Sequence, residues 1–131
     1  MGQTIELTSA DGFTFPAYVA QPSAKAKGGL VLLQEIFGVN PGIRKKCDDW
    51  AEAGYLAIAP DLFWRLKPGI ELDPDVPAEF QEALGWMGKF DQTQGIADIE
   101  ATTFAALESA YKRVETSDVK YRFVIDMSSL T

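Results

Sequence analysis

The chain of 131 residues contains no histidine. That removes every Ser-His-Asp or Cys-His relay built from this chain alone, and every metal site that needs an imidazole. Cysteine occurs once, as Cys47, so no disulfide can close within the chain. No apolar run approaches the roughly 18 residues of a membrane-spanning helix. The opening MGQTIELTS has no secretory core, and Glu6 stands where a myristoylation motif needs Ser or Thr. Positive charge is scarce: 12 Lys and Arg against 19 Asp and Glu leave a net charge of −7. Such a surface repels phosphate backbones and anionic lipid, so no nucleic acid and no membrane is expected as a partner. A cytoplasmic protein is the expectation.

A hydrophobic fraction of 47% in a chain of this length is enough for one sizeable core, and a single domain over residues 1–131 is expected. TIELTSADGFTFPAYVAQP reads as a β-hairpin, with alternation over Thr4–Thr8 and Phe13–Ala20 around the turn dipeptide Asp11-Gly12. Leu30–Gln34 is apolar on both faces, as in a buried strand. NPGIRKKCDDWAEAG carries helix punctuation: Asn40 as cap, Pro41 at the first position, Gly54 at the stop. Its spacing puts Ile43, Cys47, Trp50 and Ala51 on one face. Tyr55–Ala59 is a second buried strand, which makes strand, helix, strand a parallel pair with a right-handed crossover.

Beyond a long loop, Ala78–Lys89 is predicted helical despite Gly85 and Gly88. Asp91 and Gln94 form a capping box for a further helix, whose buried stripe is predicted as Ile96, Ile99, Thr103, Leu107, Tyr111 and Val114. VKYRFVIDM alternates from Val119 to Met127, the pattern of a half-wet strand at or near a sheet edge.

Within LVLLQEIFGV, Glu35 interrupts the apolar run and is expected to be a buried carboxylate with a partner or a role. Cys47, mid-helix among core positions, reads as a small buried hydrophobe rather than a nucleophile. Glu71, Asp73 and Asp75 lack the glycine and later glutamate of a calcium loop, so no metal is expected. Asp61 and Arg65 follow the end of a strand, where α/β proteins place ligands, although Asp61 serves equally as a turn cap. Trp50, Trp64 and Trp86 read as core or crevice lining.

LLQEIFGVNPGIRKKCDDWAEAGYLAIAPDLFWR, residues 32–65, resembles the N-terminal half of the dienelactone hydrolases, and the likeness extends weakly over residues 4–101 through LDP and KFDQTQGIADIEA. The resemblance implies a truncated α/β-hydrolase: an N-terminal β-hairpin plus parallel strands with flanking helices. It implies hydrolysis of a small-molecule ester or lactone without a cofactor, by a Cys-His-Asp triad whose aspartate and histidine belong to the second half of the family's chain. VKYRFVIDMSSLT falls where the nucleophile strand and elbow belong. It has neither the cysteine nor the flanking glycines that an elbow needs, which leaves Met127, Ser128 or Ser129 in the slot.

By the same resemblance, Glu35 sits beside the nucleophile, and the backbone N–H of Ile36 or Phe37 helps form the oxyanion hole. Phe37, Asp61, Trp64, Arg65 and Phe80 line the substrate site. Ala78 and Phe80 replace arginines that grip a substrate carboxylate in some members. A serine without a base is a feeble nucleophile, so Ser128 is a poor candidate and Glu35 reads as vestigial. The expectation is a catalytically silent binding or assembly module, with a hydrolase completed by another chain as the alternative. A last strand with a free edge further predicts a homodimer through that C-terminal strand.

Overall fold

The computed structural model describes residues 2–113 and 123–126. The hairpin forms as β1 (Gln3–Thr8) and β2 (Thr14–Ala20), joined by a turn in which Gly12 takes a positive φ of 90°. There follow β3 (Gly29–Leu32), α1 (Pro41–Glu52), β4 (Leu56–Pro60), α2 (Pro77–Lys89), α3 (Gln92–Arg113) and β5 (Phe123–Asp126). The sheet runs β1-β2-β4-β3-β5, antiparallel across β1/β2 and β2/β4, parallel across β4/β3 and β3/β5. This is the mixed sheet with flanking helices of an α/β fold.

The two parallel crossovers, β3 to β4 and β4 past β3 to β5, run in opposite directions along the sheet. Right-handed connections in opposite directions must cover opposite faces. Strand alternation matches that rule. Leu30, Leu32, Ala57 and Ala59 face α1 through Ile43 and Cys47. Val31, Leu33, Leu56 and Ile58 face α3 through Ile99, Ala101, Ala105 and Ala106. Each fully buried large side chain here, such as Leu32 or Leu56, contributes about 1.5–3 kcal/mol. Asn40 caps α1 as its spacing predicts: its Oδ1 accepts from the Ile43 N–H at 3.1 Å.

Three expectations need correction. The buried stripe of α3 is Gly95, Asp98, Thr102 and Ala106; of the predicted stripe Ile99 packs against the core, while Ile96 and Leu107 are exposed. Ranking positions by hydrophobicity misplaces the stripe, because the spacing between packed elements follows the size of the side chains between them. At Gly95 a Cβ would overlap the Phe90 ring, so only glycine allows this approach. Trp50 is exposed and packs edge-on against Tyr55 at 5.6 Å, outside the core. Strand β3 ends at Leu32, although Leu33 and Gln34 stay buried beyond it. Val114, Val119–Arg122 and Met127 lie outside the described residues. Among the described residues no helix is long and apolar enough to cross a membrane.

Candidate functional site

Because the chain leaves β3 toward β4 and returns past it to β5, the carboxyl end of β3 is a switch point in the strand order, the place where α/β sheets bind ligands. The segment at that point is Gln34-Glu35-Ile36-Phe37-Gly38. It forms a tight turn, with the Gly38 N–H donating to the Glu35 carbonyl at 3.2 Å. Gly38 has φ 77°, and a Cβ there would overlap the Ile70 carbonyl oxygen. Only glycine lets the loop after β4 press this closely on the turn.

That loop pins the turn from the outside. The Leu72 N–H donates to the Phe37 carbonyl at 2.8 Å, and Asn40 Nδ2 donates to the Leu72 carbonyl at 3.0 Å. The Arg44 guanidinium holds both carboxylate oxygens of Glu71 at 3.1 and 3.2 Å, and also donates to the Val39 carbonyl at 2.8 Å. From the inside, buried Gln34 spans two strand ends. Its Oε1 accepts from the Leu62 N–H at 2.7 Å, and its Nε2 donates to the Glu35 carbonyl at 3.1 Å.

The result is a rigid turn with spare donors. Among the described residues, no acceptor takes the backbone N–H of Ile36 or of Phe37. Backbone N–H groups left without an acceptor at the end of a buried strand can donate to a carbonyl oxygen brought to them. The Phe37 ring is buried, and 5.8 Å from it stands Phe80 of α2, 40% exposed. Helix α2 touches this corner through Ala83, which packs with Phe37, Phe63, Ile70 and Leu72.

Glu35 is exposed, which corrects the expectation of a buried carboxylate. The apolar run ends at Leu33, and the turn carries residue 35 out of the sheet. No hydrogen bond or ion pair engages its carboxylate among the described residues.

Asp61, Trp64 and Arg65 have other partners. The Asp61 carboxylate is buried and accepts from the backbone N–H of Phe63 at 3.1 Å and of Gly69 at 2.8 Å, so it shapes the loop after β4. Burial pushes its carboxyl above the ordinary carboxylate value, and those two N–H groups pull part of the way back. Trp64 stacks on Phe15 at 5.5 Å and donates from Nε1 to Asp98 Oδ2 at 2.8 Å. Arg65 lies over the Trp64 ring at 4.4 Å and bridges two carboxylates, Asp98 of α3 and Asp11 of the hairpin turn. Hydrogen bonding to Arg65 and then Ser9 holds the Asp11 carboxyl well below its ordinary value, and the two carboxylates raise Arg65 above its own. Arg65 is therefore spent on holding hairpin, loop and α3 together.

The structure thus gathers Glu35, Ile36, Phe37 and Phe80 at one corner and turns Trp64 and Arg65 toward the hairpin and α3. Cys47 is fully buried in α1, where burial pushes its thiol up to about 12, so it is inert. Ser128 and Ser129 lie outside the described residues. Among the described residues no group of Asp, Glu or Cys is placed to hold a metal. Sequence reasoning missed Gln34, Asp11 and Asp98 as the site's supports. The signal was present in the last: a charged residue in a stretch of α3 with apolar and small neighbours calls for a cationic partner.

A sequence model of the dienelactone hydrolase family matches residues 15–121. Carboxymethylenebutenolidase 1 of Cupriavidus pinatubonensis is 40% identical over 95 residues, which cover 72% of this chain and 41% of that protein. The carboxymethylenebutenolidase of Pseudomonas putida is 35% identical over 117 residues, or 89% of this chain and 50% of that protein. A Klebsiella pneumoniae crystal structure assigned as a dienelactone hydrolase superposes with a TM-score of 0.65 at 33% identity, over 95% of this chain and 49% of that one. The chain spans half or less of the length of these proteins.

Proposed function

The chain belongs to the dienelactone hydrolase family, and from that premise we propose that it carries the carbonyl-binding half of a carboxylic ester or lactone hydrolase site and is catalytically silent on its own. The observation that carries this reading is the pinned turn with the unspent N–H groups of Ile36 and Phe37. A lactone carbonyl oxygen placed there can accept from the N–H of Ile36 or Phe37 and be polarised by it. The step after polarisation needs a nucleophile and a base within reach. Among the described residues the one thiol is buried in α1, and the whole chain offers no imidazole. Binding without turnover follows.

Backbone amide NMR tests it. Coumarin, a neutral aromatic lactone, is expected to shift the Ile36 and Phe37 amide resonances in a saturable manner. Absence of any shift there up to the solubility limit would overturn the reading.

A second reading is favoured by the exposed, unpartnered Glu35: another chain completes the site. A carboxylate at the crevice can take a proton from a thiol or hydroxyl brought to it. The outer edge of β5 supports assembly in the same way, since its Phe123–Asp126 backbone is paired only with β3 among the described residues. We propose a homodimer through that edge. Light scattering at micromolar concentration is expected to give twice the monomer mass, and a monomer mass at every concentration would rule the dimer out.

A further inference from the structure

We infer that the crevice selects a neutral, apolar ester or lactone over an anionic one, with Phe80 as the residue that sets the preference; this rests on the site reading above. The N-cap Val76 and the α2 residues Phe80, Leu84 and Met87 form a stripe at helical spacing, exposed by 38%, 40%, 36% and 50%, and Ala83, which flanks the stripe, is the buried residue of the helix. A single exposed apolar side chain needs no explanation, but a stripe of them beside two free carbonyl-binding donors has a use. Phe80 is the member of the stripe that meets the turn, tilted 48° against Phe37 at 5.8 Å. That is the separation of an interacting aromatic pair, and Phe80 remains 40% exposed, with surface to offer a third flat group.

The charges at this corner point the same way. A carboxylate on the ligand would lie beside the exposed carboxylate of Glu35 and would need a cation to offset its desolvation. Among the described residues, both arginines of the elements around this corner are already engaged. Arg44 is held by Glu71 and the Val39 carbonyl, and Arg65 by Asp11 and Asp98. Lys89, the cation of α2, sits over the Trp86 ring at 5.3 Å. Releasing either arginine would break a bidentate pair. A neutral ring meets none of these costs: it lies on Phe80 and Leu84 while its carbonyl reaches the Ile36 and Phe37 N–H groups.

The test is an amide NMR titration of the chain with coumarin and with coumarin-3-carboxylate, the same ring bearing one carboxylate, in wild type, Phe80→Ala and Phe80→Arg. Phe80 is exposed enough for both variants to fold. Wild type is expected to bind coumarin about tenfold more tightly, a difference of about 1.4 kcal/mol. Phe80→Ala is expected to weaken coumarin binding, and Phe80→Arg to reverse the order of the two ligands. Equal affinity of wild type for both ligands at Ile36 and Phe37, or an unchanged ratio in Phe80→Arg, would overturn the selectivity while leaving the site reading intact. Neither ligand shifting Ile36 or Phe37 would overturn the site reading itself.

Discussion

Arg65 and Asp98 meet in a two-point ion pair, Nη2 to Oδ1 at 3.0 Å and Nε to Oδ2 at 3.2 Å, on a carboxylate side chain that is 1% exposed. The same Oδ2 accepts from the Trp64 indole at 2.8 Å. Every oxygen of this buried carboxylate therefore has a donor, and the pair clamps α3 to the loop that carries the site. Replacing Asp98 with Ala leaves the Arg65 guanidinium with only its exposed partner Asp11 and the Trp64 N–H with none. A loss of about 3 kcal/mol is expected in urea denaturation, the low end for breaking a buried pair because Asp11 remains. A change below about 1 kcal/mol would mean that the clamp does not hold the helix.

The same cluster sets the response to acid. The Asp11 carboxyl in the folded chain lies well below its ordinary value of 3.8, so the stability it contributes is present above 3.8 and is lost as pH falls through the folded value. Asp61 has the opposite sign: its folded value is raised, so its contribution is present at low pH and is lost as pH rises through that value. Melting temperature is expected to fall between about pH 4 and about pH 2, and to fall less steeply in Asp11→Asn. Equal slopes for the two proteins would remove Asp11 from the account.

Gln34 joins the ends of β3 and β4 beneath the turn. Gln34→Leu keeps the volume and strands the buried Leu62 N–H without an acceptor, which costs about 1–3 kcal/mol. It also frees the Glu35 carbonyl from its side-chain donor. Chemical denaturation is expected to show the loss, and amide exchange at Ile36 to Gly38 is expected to accelerate. Loss of stability with unaltered exchange would make Gln34 a support of the core alone.

Glu35→Gln is expected to leave stability within about 0.5 kcal/mol of wild type, as for an exposed residue without partners. A larger change in thermal unfolding would place the carboxylate in a pair.

Much of this arrangement could be read from the chain. The apolar stretches Leu30–Gln34 and Tyr55–Ala59 announced the buried parallel strands, and Asn40-Pro41 announced the start of α1, because strand burial and helix capping are local codes. QEIFG marked the turn at the head of β3. What escaped were properties that depend on distant partners. Arg65 looked free to bind a ligand until Asp11 and Asp98, 54 and 33 residues away, were brought to it. Glu35 looked buried because its neighbours are apolar, yet the turn pinned by Leu72 and Gly38 carries it outward. The buried side of α3 was hidden because small residues and one aspartate line it beside Ile99, while Ile96, Phe104 and Leu107 stay exposed.

The claim that the chain holds a carbonyl-binding turn without the means to complete the reaction is tested most directly by turnover. The purified 131-residue chain is expected to hydrolyse activated aryl esters and enol lactones near neutral pH no faster than background. Saturable turnover that disappears in Ser128→Ala or Ser129→Ala would contradict the account, since it would mean that the chain supplies its own nucleophile and a base to activate it.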